Sequence, residues 1–112
     1  MIKATIINEG ERLSLIVKGH AGYAEEGRDI ICASASILAN TVAHKVDLLN
    51  RLGALKECVI KLESGDTEIS CVPIDSVYKP LQSAYSFAGT GFCLLAESYP
   101  QYVEVDPLGE DI

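Results

Sequence analysis

The sequence predicts an α+β fold, a single domain in which a mostly antiparallel sheet carries two helices packed on one face. The chain has 112 residues, 48% of them hydrophobic, which is enough apolar material for one core. Two pairs of short segments alternate with a period of two, as β-hairpins do. Two longer segments repeat apolar residues every three or four positions, as helices do. With a short final strand, the predicted order over residues 1–112 is ββαββαβ.

The first hairpin is predicted from residues 2–8 and 12–18, joined by a polar turn at 8–11. One face of this hairpin carries Ile2, Ala4, Ile6, Leu13, Leu15 and Val17. Gly19 and His20 close the second strand. Residues 21–28 contain two glycines and two glutamates without any period, and we expect them to form a loop.

The first helix is predicted to begin after Asp29, a residue type that is favoured at the N-cap. Gly53 follows its predicted C-terminus. The apolar stripe consists of Ile31, Ala35, Leu38, Val42, Val46 and Leu49. Further apolar residues on the other faces predict a helix that is buried on more than one side.

The second hairpin is predicted from residues 58–63 and 68–72, with a turn at Ser64–Thr67. A second helix follows, with Pro80 placed in its first turn, where a missing N–H costs little. Its stripe consists of Leu81, Ala84 or Tyr85, Ala88, Phe92, Leu95 and Tyr99.

Gly89 and Gly91 within the second helix predict close packing against another element. Pro100 ends the helix, and residues 101–106 are predicted to form the last strand. The acidic tail Gly109–Ile112 is expected to fray.

The formal net charge of −7 disfavours contact with a phosphate backbone. It suits a basic polypeptide partner, but it equally serves to keep the protein soluble, and charge alone does not separate these two explanations. The chain shows neither a signal peptide nor an apolar run of about 20 residues, so we expect a cytoplasmic protein with reduced cysteines. The four cysteines form no Cys-x-x-Cys pair, which excludes zinc-ribbon and thioredoxin motifs. We expect no metal and no cofactor.

Residues 19–36 hold the candidate chemistry. Behind an Asp29 cap, Cys32 occupies the third helical position, where free backbone N–H groups and the helix dipole favour a thiolate. His20 lies at a strand end, and the loop of residues 21–28 can fold it over the helix start. A histidine there can take the thiol proton, and the same N–H groups can hold an oxyanion.

Each of these residues also has a structural explanation. A cysteine at a helix start is often a small buried hydrophobe, and a histidine at a strand end is often an ordinary polar residue. Asp29 fits a helix cap better than a third catalytic member. Ser36, one turn beyond Cys32, can bond near the thiol or bond the backbone. The remaining candidates are expected in the core (Cys58, Cys71 and Cys93) or facing solvent (His44).

Gly19-His20-Ala21, followed by Gly27-x-Asp29-Ile30-x-Cys32-Ala33-x-x-Ser36, resembles the signature of the ribosomal-processing cysteine protease family, Prp. The resemblance implies a bacterial homodimer that removes the N-terminal extension of large-subunit ribosomal protein number twenty-seven, cutting after two phenylalanines. It implies that His20 is the general base and Cys32 the nucleophile. The supporting positions that it implies are Gly19, Asp29 and Ser36. The loop of residues 21–28 resembles a segment that orders over substrate.

Two alternatives from other classes stay open at this point. The first is a non-catalytic, ribosome-associated protein-binding module, although the sequence carries no basic patch for direct RNA contact. The second is a redox thiol protein, although no resolving cysteine lies near Cys32 in the sequence.

Overall fold

The computed structural model describes residues 1–106, and the predicted tail Gly109–Ile112 lies outside the described residues. Seven elements follow the predicted order ββαββαβ, which is confirmed. They are β1 (Ile2–Glu9), β2 (Arg12–Lys18), α1 (Ile30–Arg51), β3 (Leu55–Glu63), β4 (Asp66–Pro73), α2 (Asp75–Ser98) and β5 (Val103–Asp106).

The five strands form one sheet in the order β3-β4-β2-β1-β5. Three neighbouring pairs are antiparallel, and β5 runs parallel to β1 at one edge. The predicted mostly antiparallel sheet is therefore confirmed. The pairing of β2 with β4 joins the two hairpins and brings residue 18 opposite residue 66.

Both helices pack on one face of the sheet, as predicted. That face contributes the buried side chains of Ile2, Ala4, Ile6, Leu13, Leu15, Val17, Ile69 and Cys71. The helices contribute buried side chains that include Ile31, Val42, Val46, Leu81, Tyr85 and Phe92. On the opposite face, the buried hydroxyls of Ser70 and Ser14 are joined by a hydrogen bond of 2.9 Å. Within residues 1–106, no helix has the length and apolarity needed to cross a bilayer.

Both predicted ends of α1 are confirmed. Asp29 is the N-cap, and its carboxylate accepts hydrogen bonds from the backbone N–H groups of Ile31 and Cys32. Beyond the other end, Gly53 has a φ of +75°, the left-handed conformation that glycine adopts without steric cost.

The predicted start of α2 near Pro80 is wrong, because the helix begins at Asp75 and Pro80 is its sixth residue. The N-cap, Ile74, makes no side-chain cap bond, so no capping side chain marks the true start, and its one acidic first-turn residue is Asp75. The predicted close packing at Gly91 is confirmed: a Cβ atom there would lie 2.7 Å from Cδ2 of Leu38 in α1.

Three strands also start at other residues than predicted. The β3 strand begins at Leu55 rather than Cys58, and β4 begins at Asp66, which leaves a turn of two residues, Ser64 and Gly65. The last strand begins at Val103, because the preceding residues form a turn in which the Tyr102 N–H bonds the Tyr99 carbonyl at 2.9 Å.

Candidate active site

A cleft of about 620 Å³ lies between the start of α1, the loop that precedes it and the β3–β4 turn. All five site residues predicted from the sequence line it, namely Gly19, His20, Asp29, Cys32 and Ser36. The fold therefore brings a histidine from the end of β2 and a cysteine from the first turn of α1 to one cavity.

Asp29 joins the loop to the helix through four backbone hydrogen bonds. Its Oδ1 accepts from the N–H groups of Ile31 and Cys32, both at 3.0 Å. Its Oδ2 accepts from the N–H groups of Tyr23 at 3.0 Å and Ala24 at 3.3 Å. The side chain is buried, and one carboxylate thus serves as helix cap and loop anchor together.

These bonds hold the pKa of Asp29 below the usual carboxyl value. The N–H group of Cys32 lowers this pKa most, burial acts in the opposite direction, and the other three N–H groups lower it further. Donors that point at a carboxylate stabilise its charged form. Because all four are backbone N–H groups, Asp29 fits the capping role better than that of a third member bonded to the imidazole.

The prediction that the N–H groups at the start of α1 are free is wrong for three of them. The N–H groups of Ile31 and Cys32 already bond the Asp29 carboxylate, and the Ala33 N–H bonds the Asp29 carbonyl at 3.0 Å. A different backbone donor reaches the sulphur: the Ala21 N–H lies 3.5 Å from Cys32 Sγ. That donor belongs to the residue after His20.

His20 is exposed on the chain that leaves β2, and its carbonyl accepts a hydrogen bond of 2.6 Å from the Met1 amino group. Its ring lies against Gly65, where a Cβ atom would be 2.5 Å from Nε2. Within residues 1–106, no hydrogen bond joins this ring to the Cys32 sulphur. Catalytic hydrogen bonds are often long in a free enzyme and shorten when substrate binds.

Gly19 has a positive φ and lies against a neighbouring backbone, and each of these features requires glycine. Its φ is +90°, and a Cβ atom there would overlap the carbonyl oxygen of Met1. Its N–H group donates to the Gly65 carbonyl at 2.9 Å, which ties the end of β2 to the β3–β4 turn. The positive φ and the close approach to Met1 explain why this position requires glycine.

Ser36 lies in the cleft one turn beyond Cys32, and its carbonyl accepts a hydrogen bond of 2.8 Å from the Asn40 side chain. Away from the cleft, Cys71 is buried, and Cys58 is half-buried against the core, as predicted. Burial is the main cause that raises the pKa of both of these thiols. The fourth cysteine, Cys93, is half-buried in α2.

The β3–β4 turn forms a wall of the cleft that sequence reasoning missed. Residues 63–67 line the cavity, although their sequence indicates only a turn. Asp66 holds this wall through ion pairs with Lys18 on β2 and with Lys61 on β3, the second at 2.5 Å. Residue spacing could not reveal this wall, because it depends on the long-range pairing of β2 with β4.

The loop above the cleft is attached at its first half by an aromatic contact. The Tyr23 ring meets Tyr99 at a centroid distance of 6.0 Å and Tyr102 at 5.3 Å, both in edge-to-face geometry. The second half of the loop closes in a turn, in which the Arg28 N–H bonds the Glu25 carbonyl at 2.9 Å.

The charged side chains of the cleft are mostly acidic. Besides His20, its described lining includes the carboxylates of Glu26, Asp29, Glu63 and Asp66, and it includes no lysine or arginine. Asp29 and Asp66 are already hydrogen-bonded within the protein. Glu63 makes only a longer ion pair with Lys61, at 4.0 Å, and its side chain stays exposed, so Glu26 and Glu63 are the carboxylates open to an incoming ligand.

Comparison with known proteins identifies a family to which the chain is similar. Residues 1–104 match the sequence model of a family described as cysteine protease Prp. No curated protein is significantly similar to the chain in sequence.

Solved structures show the same fold. The essential ribosomal processing protease Prp of S. aureus, with a covalently linked product peptide, has a TM-score of 0.70 and 21% identity over 96% of this chain and 99% of its own. The protein SMU.848 of Streptococcus mutans has a TM-score of 0.67 and 27% identity, over 96% and 94% of the two chains. The S. aureus protease with a substrate peptide has a TM-score of 0.65 and 20% identity over 96% and 99%. With a family match that spans all the described elements but the last residues of β5, this chain belongs to the Prp family of cysteine proteases.

Proposed function

We propose that this chain is a cysteine endopeptidase that removes the N-terminal extension of large-subunit ribosomal protein number twenty-seven during ribosome maturation. Membership in a cysteine protease family supports the reaction class. The S. aureus relative is called a ribosomal processing protease and binds a substrate peptide, which supports a ribosomal polypeptide as substrate. The observation that carries the proposal is that His20 and Cys32 line one cleft.

In the first step, His20 takes the proton of the Cys32 thiol, and the thiolate attacks the carbonyl carbon of the scissile peptide bond. A carbon–sulphur bond forms, and the carbonyl electrons move onto the oxygen. We assign the Ala21 N–H, which donates to the sulphur in the free protein, as a donor to that oxyanion. The carbon–nitrogen bond then breaks, and the amine leaves with the proton that His20 carried.

In the second step, His20 removes a proton from a water molecule as it attacks the thioester. The carbon–sulphur bond breaks, the extension leaves as a carboxylic acid, and Cys32 recovers its proton. Asp29 supports both steps by fixing the helix that carries Cys32 to the loop that follows His20. Gly19 and Ser36 complete the proposed set as supporting residues that line the cleft.

The charges of the cleft suit a basic substrate segment. Glu26 and Glu63 present carboxylates to the cavity, and the whole chain carries a net charge of −7. The N-terminal region of a ribosomal protein that binds rRNA is basic, so the two surfaces attract each other. This attraction speeds encounter more than it sets the cleavage position.

We further propose that residues 1–112 form a single protease domain that acts without a cofactor, as a homodimer in the cytoplasm. The four free cysteines suit a reducing compartment. The helix layer exposes Ile37, Phe87 and Leu94, which suit contact with a second copy. Sedimentation velocity of the purified protein tests the dimer directly.

Cleavage of the extended ribosomal precursor, followed by mass spectrometry of intact chains, tests the activity. We expect one new N-terminus with the parent protein and a loss of at least about 10³-fold in rate for Cys32→Ala and for His20→Ala. Cys93→Ala is the matched control, because Cys93 is also a half-buried helical cysteine but does not line the cleft. It should cleave at the parental rate.

The other outcomes point to different functions. Cleavage that survives in Cys32→Ala would remove Cys32 as the nucleophile. Tight binding of the precursor by folded parent protein, without any cleavage, would favour a protein-binding module instead.

A further inference from the structure

We propose that Gly65, in the β3–β4 turn, positions the imidazole of His20, and that the absence of a side chain at residue 65 lets the ring reach its working position. The inference rests on the proposed function, in which His20 is the general base. It assigns a role to a turn that the sequence marks only as a connection between two strands.

The contact between Gly65 and the ring is closer than any side chain would allow. A Cβ atom on Gly65 would lie 2.5 Å from His20 Nε2, 3.0 Å from Cε1 and 3.1 Å from Cδ2. These three ring atoms are the nearest heavy atoms to that position, while carbon atoms in ordinary contact are about 3.5–4.0 Å apart. The ring thus occupies the space that a side chain at residue 65 would need.

The turn cannot easily move aside. The Gly65 carbonyl accepts the Gly19 N–H at 2.9 Å, one residue before His20. Asp66, the next residue, is paired with Lys18 and Lys61 on the two flanking strands. The backbone at residue 65 is therefore held on both sides, whereas the His20 side chain is exposed. An added methyl group would displace the ring and leave the turn in place.

A displaced ring changes the chemistry more than the stability. A general base must lie within about 2.6–3.2 Å of the proton that it takes, and a misplacement of about 1 Å can cost on the order of 10²-fold in rate. Substrate contacts elsewhere in the cleft remain. We therefore expect Gly65→Ala to lower kcat by about 10²-fold and to leave KM close to its parental value.

Gly10 provides a matched control in the other hairpin. Its φ of +63° is close to the +71° of Gly65, so alanine meets a similar backbone strain at both positions. A Cβ atom on Gly10 would meet nothing within 4 Å, and Gly10 does not line the cleft. The two variants therefore share the cost of a left-handed alanine and differ in the contact with His20.

The experiment measures kcat and KM for precursor cleavage, thermal unfolding, and side-chain ¹H–¹³C NMR signals of histidine for the parent and both variants. The chain has two histidines, and His44 on the exposed side of α1 is an internal reference. We expect the His20 signals to move in Gly65→Ala alone and the His44 signals to stay in place in both variants. Thermal midpoints of the two variants should fall by similar amounts, and Gly10→Ala should keep its kcat.

Two results would overturn the inference while the proposed function stands. The first is parental kcat in Gly65→Ala, with or without displaced His20 signals. The second is an equal loss of kcat in Gly65→Ala and Gly10→Ala, which would assign the effect to backbone strain. In both cases Cys32→Ala and His20→Ala would still be inactive, whereas full cleavage by either of these would overturn the proposed function together with the inference.

Discussion

The two helices have similar lengths and pack side by side on the same sheet face, but they begin in different ways. At the start of α1, Asp29 accepts four backbone N–H groups, two from the helix and two from the preceding loop. At the start of α2, Ile74 makes no side-chain cap bond, and the acidic residue of the first turn, Asp75, is exposed. The start of α1 is therefore bonded to the loop of the cleft, whereas the start of α2 has no side-chain cap.

The polar contacts are concentrated at the helix start that borders the cleft. The first two turns of α1 contribute Cys32 and Ser36 to the cleft, whereas no residue of α2 is among its described lining. The helix start that carries the Cys32 sulphur is fixed to the neighbouring loop, so the sulphur and the chain after His20 keep a common position. Changes at the two starts should therefore have different consequences for activity.

Substitution of Asp29 should produce the largest effect. Asp29→Ala removes the helix cap and the loop anchor together, and we expect a loss on the order of 10²-fold in kcat/KM with a lower thermal midpoint. Asp29→Asn keeps one carbonyl oxygen for the N–H groups of Ile31 and Cys32. Its amide NH₂ then faces the N–H groups of Tyr23 and Ala24, donor against donor, so only the loop is released.

Amide hydrogen exchange separates the two parts of this prediction. The Tyr23 and Ala24 amides should lose protection in both Asp29 variants, and the Ile31 and Cys32 amides should lose it in Asp29→Ala alone. Asp75→Asn, at the start of α2, is the comparison and should change stability by less than about 1 kcal/mol, since it alters only a charge near a helix dipole. Protected Tyr23 and Ala24 amides in Asp29→Asn would show that the contact of the Tyr23 ring with Tyr99 and Tyr102 holds the loop without Asp29.

The free energy of unfolding at acid pH should show a smaller effect of Asp29. The pKa of Asp29 is lower in the folded protein than the value of about 3.9 that is usual for an unfolded chain. Its contribution is therefore fully present above about pH 3.9 and is lost as the pH falls through the lowered folded pKa. Urea unfolding should show a constant difference between the parent and Asp29→Asn from pH 7 to about pH 5, and a shrinking one at lower pH.

The pKa of Asp66 is also lowered, first by its hydrogen bond with Lys18 and then by that with Lys61. Both proteins in the comparison keep Asp66, so its titration cancels in the difference between them. A difference that stays constant down to pH 2 would contradict the lowered pKa of Asp29.

The same contrast explains which parts of the molecule could be predicted. The start of α1 can be predicted from the residues around it, because Asp29 has a capping side chain and the apolar stripe of the helix follows directly. The start of α2 has no such mark: Ile74 carries no capping group, and the preference of proline for first turns drew the prediction to Pro80. The position of a helix start is predictable where a side chain caps it and uncertain where no side chain does.

The site divides along similar lines. Only a short loop separates His20 from the start of α1. The sequence could therefore predict that His20 and Cys32 lie near the same cleft. The wall formed by Gly65 and Asp66 depends on which strands pair across the sheet, and the alternation within each hairpin does not determine this. A turn glycine beside the His20 ring, Gly65, and a turn glycine with open space around it, Gly10, look alike in the sequence and differ only in the fold.

Pro80 provides the smallest expected effect and the sharpest contrast with Asp29. As the sixth residue of α2, it lacks the N–H that would bond the Ser76 carbonyl, and its ring crowds that carbonyl. Pro80→Ala restores the bond but gives the unfolded chain more freedom, so we expect a net gain of roughly 1 kcal/mol and a rise of about 4 °C in the thermal midpoint. Lys79→Ala, at the exposed neighbouring position, should change stability by less than about 0.5 kcal/mol.

Cleavage by Pro80→Ala should match the parent in both kcat and KM, because α2 does not line the described cleft. Thermal unfolding and steady-state kinetics on one preparation test both expectations. A lower thermal midpoint would mean that the proline fits its position better than alanine does. A changed kcat would mean that the first turns of α2 are coupled to the cleft after all, and the two helix starts would then differ in contacts but not in function.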